Sequence, residues 1–546
     1  MIPAWTGQAV RDAERPFLDA GEGPALMRWA AHGLALECVS VLRRARGSVA
    51  GAKVVVLAGS GNNGGDALWA AADLRRRGAG VEVISTGGRL HEPGADAVRA
   101  AGGRCAALPD MGIGTAARMC LAADLLLDGV LGTGAEGGLR GPVGELVERV
   151  NQGLPERSRR TSRRPQVVAV DLPSGVEADT GRSPGEVLGA VSTVTFGGTK
   201  AAHVLPPGRW LSGTVSNVAI GIEGGLPVPA VVELEDRDLD LLWPRPTPAD
   251  HKYTRGVVGV VAGSPRYPGA ALLCTRSAVA AGAGMVRYLG DENTRSLVTL
   301  SNPEVVSSDE DPVDVHVQAW VAGPGAVDDD QRRRIDQVLA SEEPAVLDAG
   351  AIAAVGQLLG ERRLDARQVL TPHAGELVEL LTWCHAWGLI ERAPSREEVE
   401  GDPAGWAGTA ATATGATVLL KGAVTVVAAP SGGPVVAVAN GSPWLASAGS
   451  GDCLAGLAGT LLAHVAGRPD RFDRQVQDWL EAAPLEGGAL EGFRDHVSGD
   501  GRWALAAALA AVLHGRASTA GGEGPAPCRP EYIRAALTSG NPHPRA

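Results

Sequence analysis

The sequence lacks the features that would place it outside the cytoplasm or on a polyanion. Its seven cysteines are odd in number and form no C-x-x-C pair. That spacing argues against a disulfide framework or a zinc site and for reduced thiols. Basic residues are in deficit, 50 Lys and Arg against 62 Asp and Glu, with a net charge of -12 and a pI near 5.5. This balance speaks against nucleic acid and against an anionic membrane as partners, while leaving room for a local basic pocket. Apolar stretches such as Ala504 to Leu513 fall short of the ~20 residues that cross a bilayer. The opening Met1-Ile-Pro-Ala-Trp-Thr runs into Arg11, Asp12, Glu14 and Arg15 without the apolar core of a secretion signal. A cytoplasmic protein is expected.

What the chain has in abundance is glycine, 75 residues in 546. Two glycine-rich loops ending in aspartate stand out, one in each half: Gly59-Ser-Gly-Asn-Asn-Gly-Gly-Asp66 after the apolar run Lys53 to Ala58, and Ala448-Gly-Ser-Gly-Asp452 before Cys453-Leu-Ala-Gly-Leu. Glycine lets a backbone turn tightly and approach a ligand closely, and a following helix aims unpaired N–H groups and the positive end of its dipole at an anion. Two such loops predict two sites for related phosphorylated ligands.

A chain of this length exceeds one ordinary core. Val-rich strands alternate with Ala- and Leu-rich helical stretches, the pattern of a parallel sheet covered on both faces. The first half predicts strands at Lys53–Ala58, Val81–Ser85, Leu125–Leu127, Val167–Val170 and Val191–Phe196. The second predicts Val257–Ala262, Ala319–Ala322, Ala345–Leu347, Val369–Leu370 and Thr417–Leu420, then a hairpin from Val424 to Val438. The charged, proline-rich stretch Glu233 to Pro248 reads as a linker or domain boundary, giving domains 1–232 and 233–546. Asn151 to Pro165 and Gly467 to Asp500 read as exposed insertions, and the tail from Ala520 as frayed.

In the first loop Asn62 and Asn63 offer amides that donate and accept, Gly64 and Gly65 expose backbone N–H, and Asp66 can take a hydroxyl or fix the loop. Helix capping by Asp66 is the bland alternative. Leu127-Asp128-Gly-Val-Leu-Gly-Thr-Gly134 and Asp171-Leu-Pro-Ser-Gly175 put carboxylates just past strands, where open α/β sheets hold ligands. Hard oxygens from Asn63, Asp128 and Ser174 could hold a cation. Loop capping remains open for Asp128 and Asp171.

Together with Thr195-Phe-Gly-Gly-Thr-Lys200, the opening Gln8, Arg11 and Glu14, and Ala25-Leu-Met-Arg-Trp, these motifs resemble the NAD(P)HX epimerase family across nearly all of residues 1–232. The resemblance implies a Rossmann-like three-layer α/β/α domain with Asp171 as a catalytic and substrate-contacting residue. It implies further substrate contacts at Asn62, Asn63, Gly64, Gly65, Asp66, Gly132, Thr133, Gly134, Ala135, Glu136, Gly137 and Gly138, and potassium at Asn63, Asp128 and Ser174. Ala67 departs from the glycine usual in the family.

In the second half Asp452 sits at a predicted helix start, where loop N–H groups can stabilise a transferring phosphoryl while the carboxylate takes a proton from an attacking hydroxyl. Lys421-Gly-Ala-Val-Thr425 supplies a cation, a close-approach glycine and a hydroxyl for a donor nucleotide. Thr371-Pro-His-Ala-Gly-Glu376 ends another strand, with His373 toward substrate and Glu376 able to orient metal-bound water. These motifs, with His251 to Gly256, Tyr267 to Ala271, Gly323-Pro-Gly325 and Ala446 to Asp452, resemble the ADP-dependent NAD(P)HX dehydratases of the ribokinase-like superfamily over about the last 300 residues. The resemblance implies an α/β domain with a central, mostly parallel sheet. It implies Asp452 as base, substrate contacts at Ala270, Gly325, His373 and Asp452, and nucleotide contacts at Lys421, Gly422, Ala423, Val424, Thr425 and Gly451. Gly350 stands where the family usually has a second aspartate.

Both resemblances imply one pair of ligands, hydrated NADH and NADPH (NADHX and NADPHX). The first domain would interconvert R and S epimers with K⁺. The second would phosphorylate the S hydroxyl from ADP with Mg²⁺ and eliminate phosphate. A homo-oligomer is expected, with neither nucleic acid nor membrane as partner. The alternative is a ribokinase-like kinase for a vitamin or sugar alcohol fused to a non-catalytic Rossmann-like binding module. Vitamin kinases of this layout generally carry Asn where His373 stands, which counts against it.

Overall fold

The computed structural model describes residues 1–134, 137–154, 165–522 and 530–538. It divides into two compact units, Ala4–Pro229 and Met1–Pro3 with Ala230–Ala546. Strands are numbered along the chain, beginning with β1 (Ile2–Ala4).

The first unit is built on seven strands: β2 (Lys53–Ala58), β3 (Gly80–Ser85), β4 (Arg104–Ala107), β5 (Leu125–Gly129), β6 (Gln166–Val170), β7 (Ser192–Phe196) and β8 (Thr214–Val218). Their order is β4-β3-β2-β5-β6-β7-β8, and every pairing is parallel. In β2, β5 and β7 almost every residue is buried, as a sheet covered on both faces requires. Chain direction across the sheet reverses between β2 and β5, and such a switch point opens a crevice at the strands' C-terminal ends. The helix Gly23–Arg46, which contains Ala25-Leu-Met-Arg-Trp, is long and apolar enough to cross a membrane by length and composition alone. Its inner stripe, including Leu26, Leu34, Cys38 and Leu42, is buried in the core of this unit.

The second unit carries β9 (Val231–Leu234), β10 (Val257–Val261), β11 (Met285–Leu289), β12 (Val306–Ser308), β13 (Ala319–Ala322), β14 (Ala345–Leu347), β15 (Gln368–Leu370), β16 (Thr417–Leu420), β17 (Thr425–Ala428) and β18 (Val435–Val438). The sheet order is β1-β9-β18-β17-β16-β15-β14-β13-β10-β11-β12. β16, β17 and β18 form the antiparallel portion, and β17 with β18 is the expected hairpin. The switch point lies between β10 and β13.

Two expectations are corrected here. The units divide at Pro229, a few residues before Glu233 to Pro248, but that stretch is no linker at its start: β9 pairs with β18, and a helix Asp236–Leu242 follows with Asp238, Leu239 and Leu242 buried. Gly467 to Asp500 is no exposed insertion either. It forms helices Pro469–Glu481 and Gly487–Ser498 that bury Phe472, Val476, Trp479 and Leu480, and Ala489, Phe493 and Val497. These spacings are one face of a helix, and the Trp479 indole donates to Asp238 Oδ1 at 2.8 Å. Of the first insertion, residues 155–164 lie outside the described residues.

Candidate active sites

The loop after β2 leads directly into the helix Asn62–Arg76, so the sequence from Asn62 to Asp66 is the first turns of a helix and Gly61 is the N-cap. Asp66 therefore does not cap. A Cβ at Gly64 would fall 2.1 Å from the Gly59 carbonyl oxygen, which only glycine avoids. The Ala67 methyl is accommodated because β5 supplies Gly129 opposite it, where a Cβ would lie 2.6 Å away.

Over the switch point lies a cavity of about 680 Å³ whose walls include Glu14, Asn62, Asn63, Asp66, Asp171 and Lys200. Gly132, Thr133 and Gly134 also line it. Gly64, Gly65, Gly137 and Gly138 do not form its wall, and Ala135 and Glu136 lie outside the described residues. Asp171 follows β6 with φ +63°, a left-handed conformation that strains a non-glycine residue and persists where surroundings hold it. Here its N–H donates to the Val194 carbonyl at 2.7 Å. His203 Nδ1 accepts from the Lys200 N–H at 3.0 Å, so Nε2 carries the proton and donates to the Asp171 carbonyl at 2.9 Å.

The Asp171 carboxylate accepts from Lys200 Nζ at 2.6 Å and from the Thr195 hydroxyl at 2.9 Å. Burial alone would push this carboxyl up, but Lys200 and Thr195 hold it below its ordinary value. Asp66 goes the other way: burial, then the charges of Asp171 and Glu14, push it well up against the pull of Lys200. Glu14 is also raised, chiefly by burial. One cavity thus holds carboxyls driven toward opposite protonation states, the arrangement from which acid and base roles are assigned.

Beside the cavity, the Ser174 hydroxyl donates to Asp128 Oδ1 at 2.6 Å and its N–H to Oδ2 at 2.8 Å. Asn63 Nδ2 donates to the Leu131 carbonyl at 2.9 Å, and a Cβ at Gly132 would lie 3.1 Å from Asn63 Oδ1. One carboxylate, a hydroxyl, carbonyls and an amide oxygen make a hard-oxygen set of net charge -1 that fits a monovalent cation. Burial pushes Asp128 up against the Ser174 hydrogen bonds, a penalty that a bound cation would offset.

In the second unit the helix Ser450–Gly467 starts from Gly449 at φ +87° and carries Asp452 in its first turn. Burial, then Asp348, raises the Asp452 carboxyl, with Lys421 countering. Lys421 Nζ donates to Asp348 Oδ1 at 2.7 Å and lies 3.7 Å from Glu376 Oε2. Burial disfavours its charge, yet Asp348 and Glu376 more than compensate and raise its pKa. A Cβ at Gly451 would be 3.5 Å from Lys421 Nζ and 3.9 Å from Asp348 Oδ2. Asp348, Lys421, Gly451 and Asp452 are therefore one cluster.

His373 and Glu376 form a reciprocal capping box at the start of the helix Ala374–Ala386. The ring accepts from Glu376 N–H at 3.1 Å, and His373 stays exposed beside Lys421, to which it is bridged by backbone pairing. Ala270 and Gly325 abut, a Gly325 Cβ falling 2.7 Å from Ala270 Cβ. Gly422, Ala423 and Val424 make the turn from β16 into β17, which Thr425 opens. At the departure from the family pattern, a Cβ on Gly350 would meet the Ala326 carbonyl oxygen at 2.6 Å. This backbone has no space for a side chain there, and Ala349 before it is left-handed at φ +46°.

Residues 24–202 match the profile of the YjeF-related protein N-terminus, and residues 258–484 match that of NAD(P)H-hydrate dehydratase. The bifunctional NAD(P)H-hydrate repair enzyme Nnr of Mycobacterium leprae is 41% identical over 461 residues, covering 83% of this chain and 88% of the relative. The chain belongs to the bifunctional NAD(P)H-hydrate repair enzymes. The NAD(P)H-hydrate epimerase of Microbacterium testaceum is 42% identical over 224 residues, 41% of this chain and 80% of that protein. Among solved structures, the ADP/ATP-dependent NAD(P)H-hydrate dehydratase of Bacillus subtilis is similar at 23% identity and a TM-score of 0.41, covering 56% of this chain and 96% of that one. As a member of this family the chain is a repair enzyme with NAD(P)H-hydrate epimerase and dehydratase activities.

Sequence reasoning quoted Lys200 only as part of a motif and gave Asp348 no role, although each is the ion-pair partner at its site. The signal was present: Lys200 and Lys421 are two of only four lysines in the chain, and Asp348 directly follows the strand Ala345–Leu347. His203 left no signal beyond its spacing from Lys200.

Proposed function

We propose that the two reactions of this repair enzyme run at the two sites just described. Epimerisation of R- and S-NADHX and NADPHX takes place in the cavity of the first unit, with Asp171 as base and Asn62, Asn63, Asp66, Gly132, Thr133 and Gly134 against the substrate. The observation that carries this is the Asp171–Lys200 pair, buried at the switch-point crevice with further carboxyls around it. Asn63, Asp128 and Ser174 hold potassium, whose charge steadies the buried Asp128 and the loop beside the cavity.

The dehydratase reaction takes place at Asp452. The carboxylate removes the proton of the S hydroxyl as that oxygen attacks the terminal phosphoryl of ADP. Backbone N–H groups at the start of the helix Ser450–Gly467 face the charge that develops there. The C–O bond then breaks with its electron pair leaving on phosphate, the ring nitrogen's lone pair forms C=N⁺, and loss of a proton from the adjacent ring carbon to solvent restores the C=C bond, giving NAD(P)H, AMP and phosphate. Lys421 and the turn Gly422 to Thr425, with Gly451, hold the nucleotide; Ala270, Gly325 and His373 hold the hydrated ring. Asp348 and Glu376 are engaged by Lys421, so Mg²⁺ would be held chiefly by the nucleotide phosphates, where it would neutralise the transferring phosphoryl. Asp348 is a positioning residue, since it acts through Lys421.

Six free cysteines among the described residues accord with a reducing cytoplasm. Trp29 and Leu36, exposed two turns apart on the helix Gly23–Arg46, are the apolar surface that a second copy would cover in a homo-oligomer. Recovery of the near-ultraviolet absorbance of reduced nicotinamide from mixed NADPHX epimers tests the whole reading. Full recovery with ADP, Mg²⁺ and K⁺ is expected. Recovery that ignores the nucleotide would overturn the assignment of the second site.

A further inference from the structure

We propose that Asp66 is a second catalytic residue of the epimerase site, a protonated acid opposite the base Asp171, and that inversion proceeds by breaking and remaking the carbon–oxygen bond. The inference deepens the epimerase reading and rests on it. Asp66 and Asp171 reach the same cavity from different elements, the helix Asn62–Arg76 and the loop after β6. Their surroundings differ in kind. Asp171 Oδ1 accepts from both Lys200 and Thr195. Asp66 is 8% exposed, and its Oδ1 is buried with no hydrogen-bond partner among the described residues.

A buried carboxylate without donors carries a large desolvation cost, whereas a buried carboxylic acid carries little and can itself donate. The groups that share the cavity with Asp66 are Asp171, Glu14, Arg11, Arg15 and Lys200, and His91 stands beside the neighbouring Gly65. Lys200 is committed to Asp171, and Arg11 donates to Gln8 and to the Thr133 carbonyl. Neither is free to neutralise Asp66. The pKa directions agree with this division: Asp66 goes up and Asp171 down. Glu14 is also raised, but it is only half-buried and lacks the orphaned oxygen.

Hydration of an enamine puts the added hydroxyl on the carbon bonded to nitrogen. Asp66 gives its proton to that hydroxyl, and the C–O bond breaks with its electron pair leaving as water. The ring nitrogen's lone pair forms the C=N⁺ bond, a cation among three carboxyls. A water on the opposite face then bonds to the carbon and loses its proton to Asp171, and the C=N⁺ pair returns to nitrogen. Nothing is oxidised or reduced; one water leaves, one enters, and one proton passes from Asp66 to Asp171. The reverse epimerisation starts from that exchanged protonation state.

The test uses the full chain without ADP, so that the dehydratase is silent, and R-NADPHX in water labelled with heavy oxygen. Each inverted molecule is expected to carry one solvent oxygen. Inversion with the original oxygen retained, as opening the ring at the C–N bond would give, overturns the proposal. Asp66→Asn is expected to slow inversion ~100-fold or more and to remove the alkaline limb of the epimerase pH profile, with ADP-dependent dehydration of the S form unchanged. Inversion by Asp66→Asn at the wild-type rate would equally overturn it. A wild-type chain that accelerates no inversion at all would refute the epimerase site itself, a separate outcome.

Discussion

Both sites lie at the C-terminal ends of parallel strands and solve opposite electrostatic problems. The first lies over a switch point and the second at the ends of β14 to β16; in each a glycine-rich segment enters a helix that carries an aspartate. Each holds one of the two non-glycine residues with left-handed backbone among the described residues, Asp171 and Ala349. There the similarity ends. The Lys200 side chain is 2% exposed and closes on Asp171, whereas the Lys421 side chain is 21% exposed and leans on Asp348, leaving Asp452 half-buried. A site that moves protons between its own carboxyls needs an internal counter-charge, sealed so that the two groups keep different protonation states. A site that admits a polyphosphate must leave its cation and its helix N-terminus within reach of solvent.

The largest effect that would break or sharpen this contrast is on catalysis. Asp452→Asn is expected to remove ADP-dependent recovery of NADPH by ~100-fold or more while R/S interconversion, followed by chromatography, continues. Asp171→Asn should do the reverse: the S form is consumed at the normal rate, and further recovery then slows to spontaneous epimerisation. Loss of both activities from either single variant would show that the sites are not chemically separate.

A smaller effect is on stability, and it differs between the same two variants. Asp171→Asn leaves the Lys200 ammonium buried without its anion, a change that costs about 3–5 kcal/mol. Asp452→Asn removes a half-buried carboxylate that burial and Asp348 already disfavour, so stability should change by less than ~1 kcal/mol or rise. Urea unfolding of the full-length variants checks both, and equal losses would contradict the sealed-against-open distinction.

Much of this was legible because glycine and aspartate at strand ends are read locally. Asp66, Asp128, Asp171 and Asp452 announce themselves by the apolar run before them or the helix after them. The expected strands are present within a few residues. What stayed hidden depends on partners distant in sequence. Asp348 gains its role from Lys421, which β14, β15 and β16 bring alongside it, and Lys200 gains its role from Asp171 across β6 and β7. The helices Pro469–Glu481 and Gly487–Ser498 were obscured for another reason. Their charge density masks a helical period in Phe472, Val476, Trp479 and Leu480, and β9 was hidden by the acidic run that follows it.

The smallest effect concerns acid. His203 in the first unit, and His464 and His514 in the second, are each pushed by burial from 6.5 to about 4. A histidine kept neutral in the fold contributes fully above the unfolded value of 6.5. As pH falls toward 4 the unfolded chain takes the proton first, so about 3 kcal/mol per residue is lost across that window. Carboxyls with raised values act in the opposite sense, because the fold holds their proton when the unfolded chain does not. The first unit has three of these, Asp66, Glu14 and Asp128, against one histidine. The second has Asp452 against three, since burial also lowers His496. Acidification from 6.5 toward 4 should therefore weaken the second unit more than the first. Peptide-level hydrogen exchange on the intact chain, corrected for the intrinsic pH dependence of exchange, would show protection lost first in the helices Ser450–Gly467 and Gly501–Ala517, which carry His464 and His514. If protection fell first around β6 and β7 instead, the three raised carboxyls would not be holding protons at that pH, and the sealed site would lose the asymmetry that separates its acid from its base.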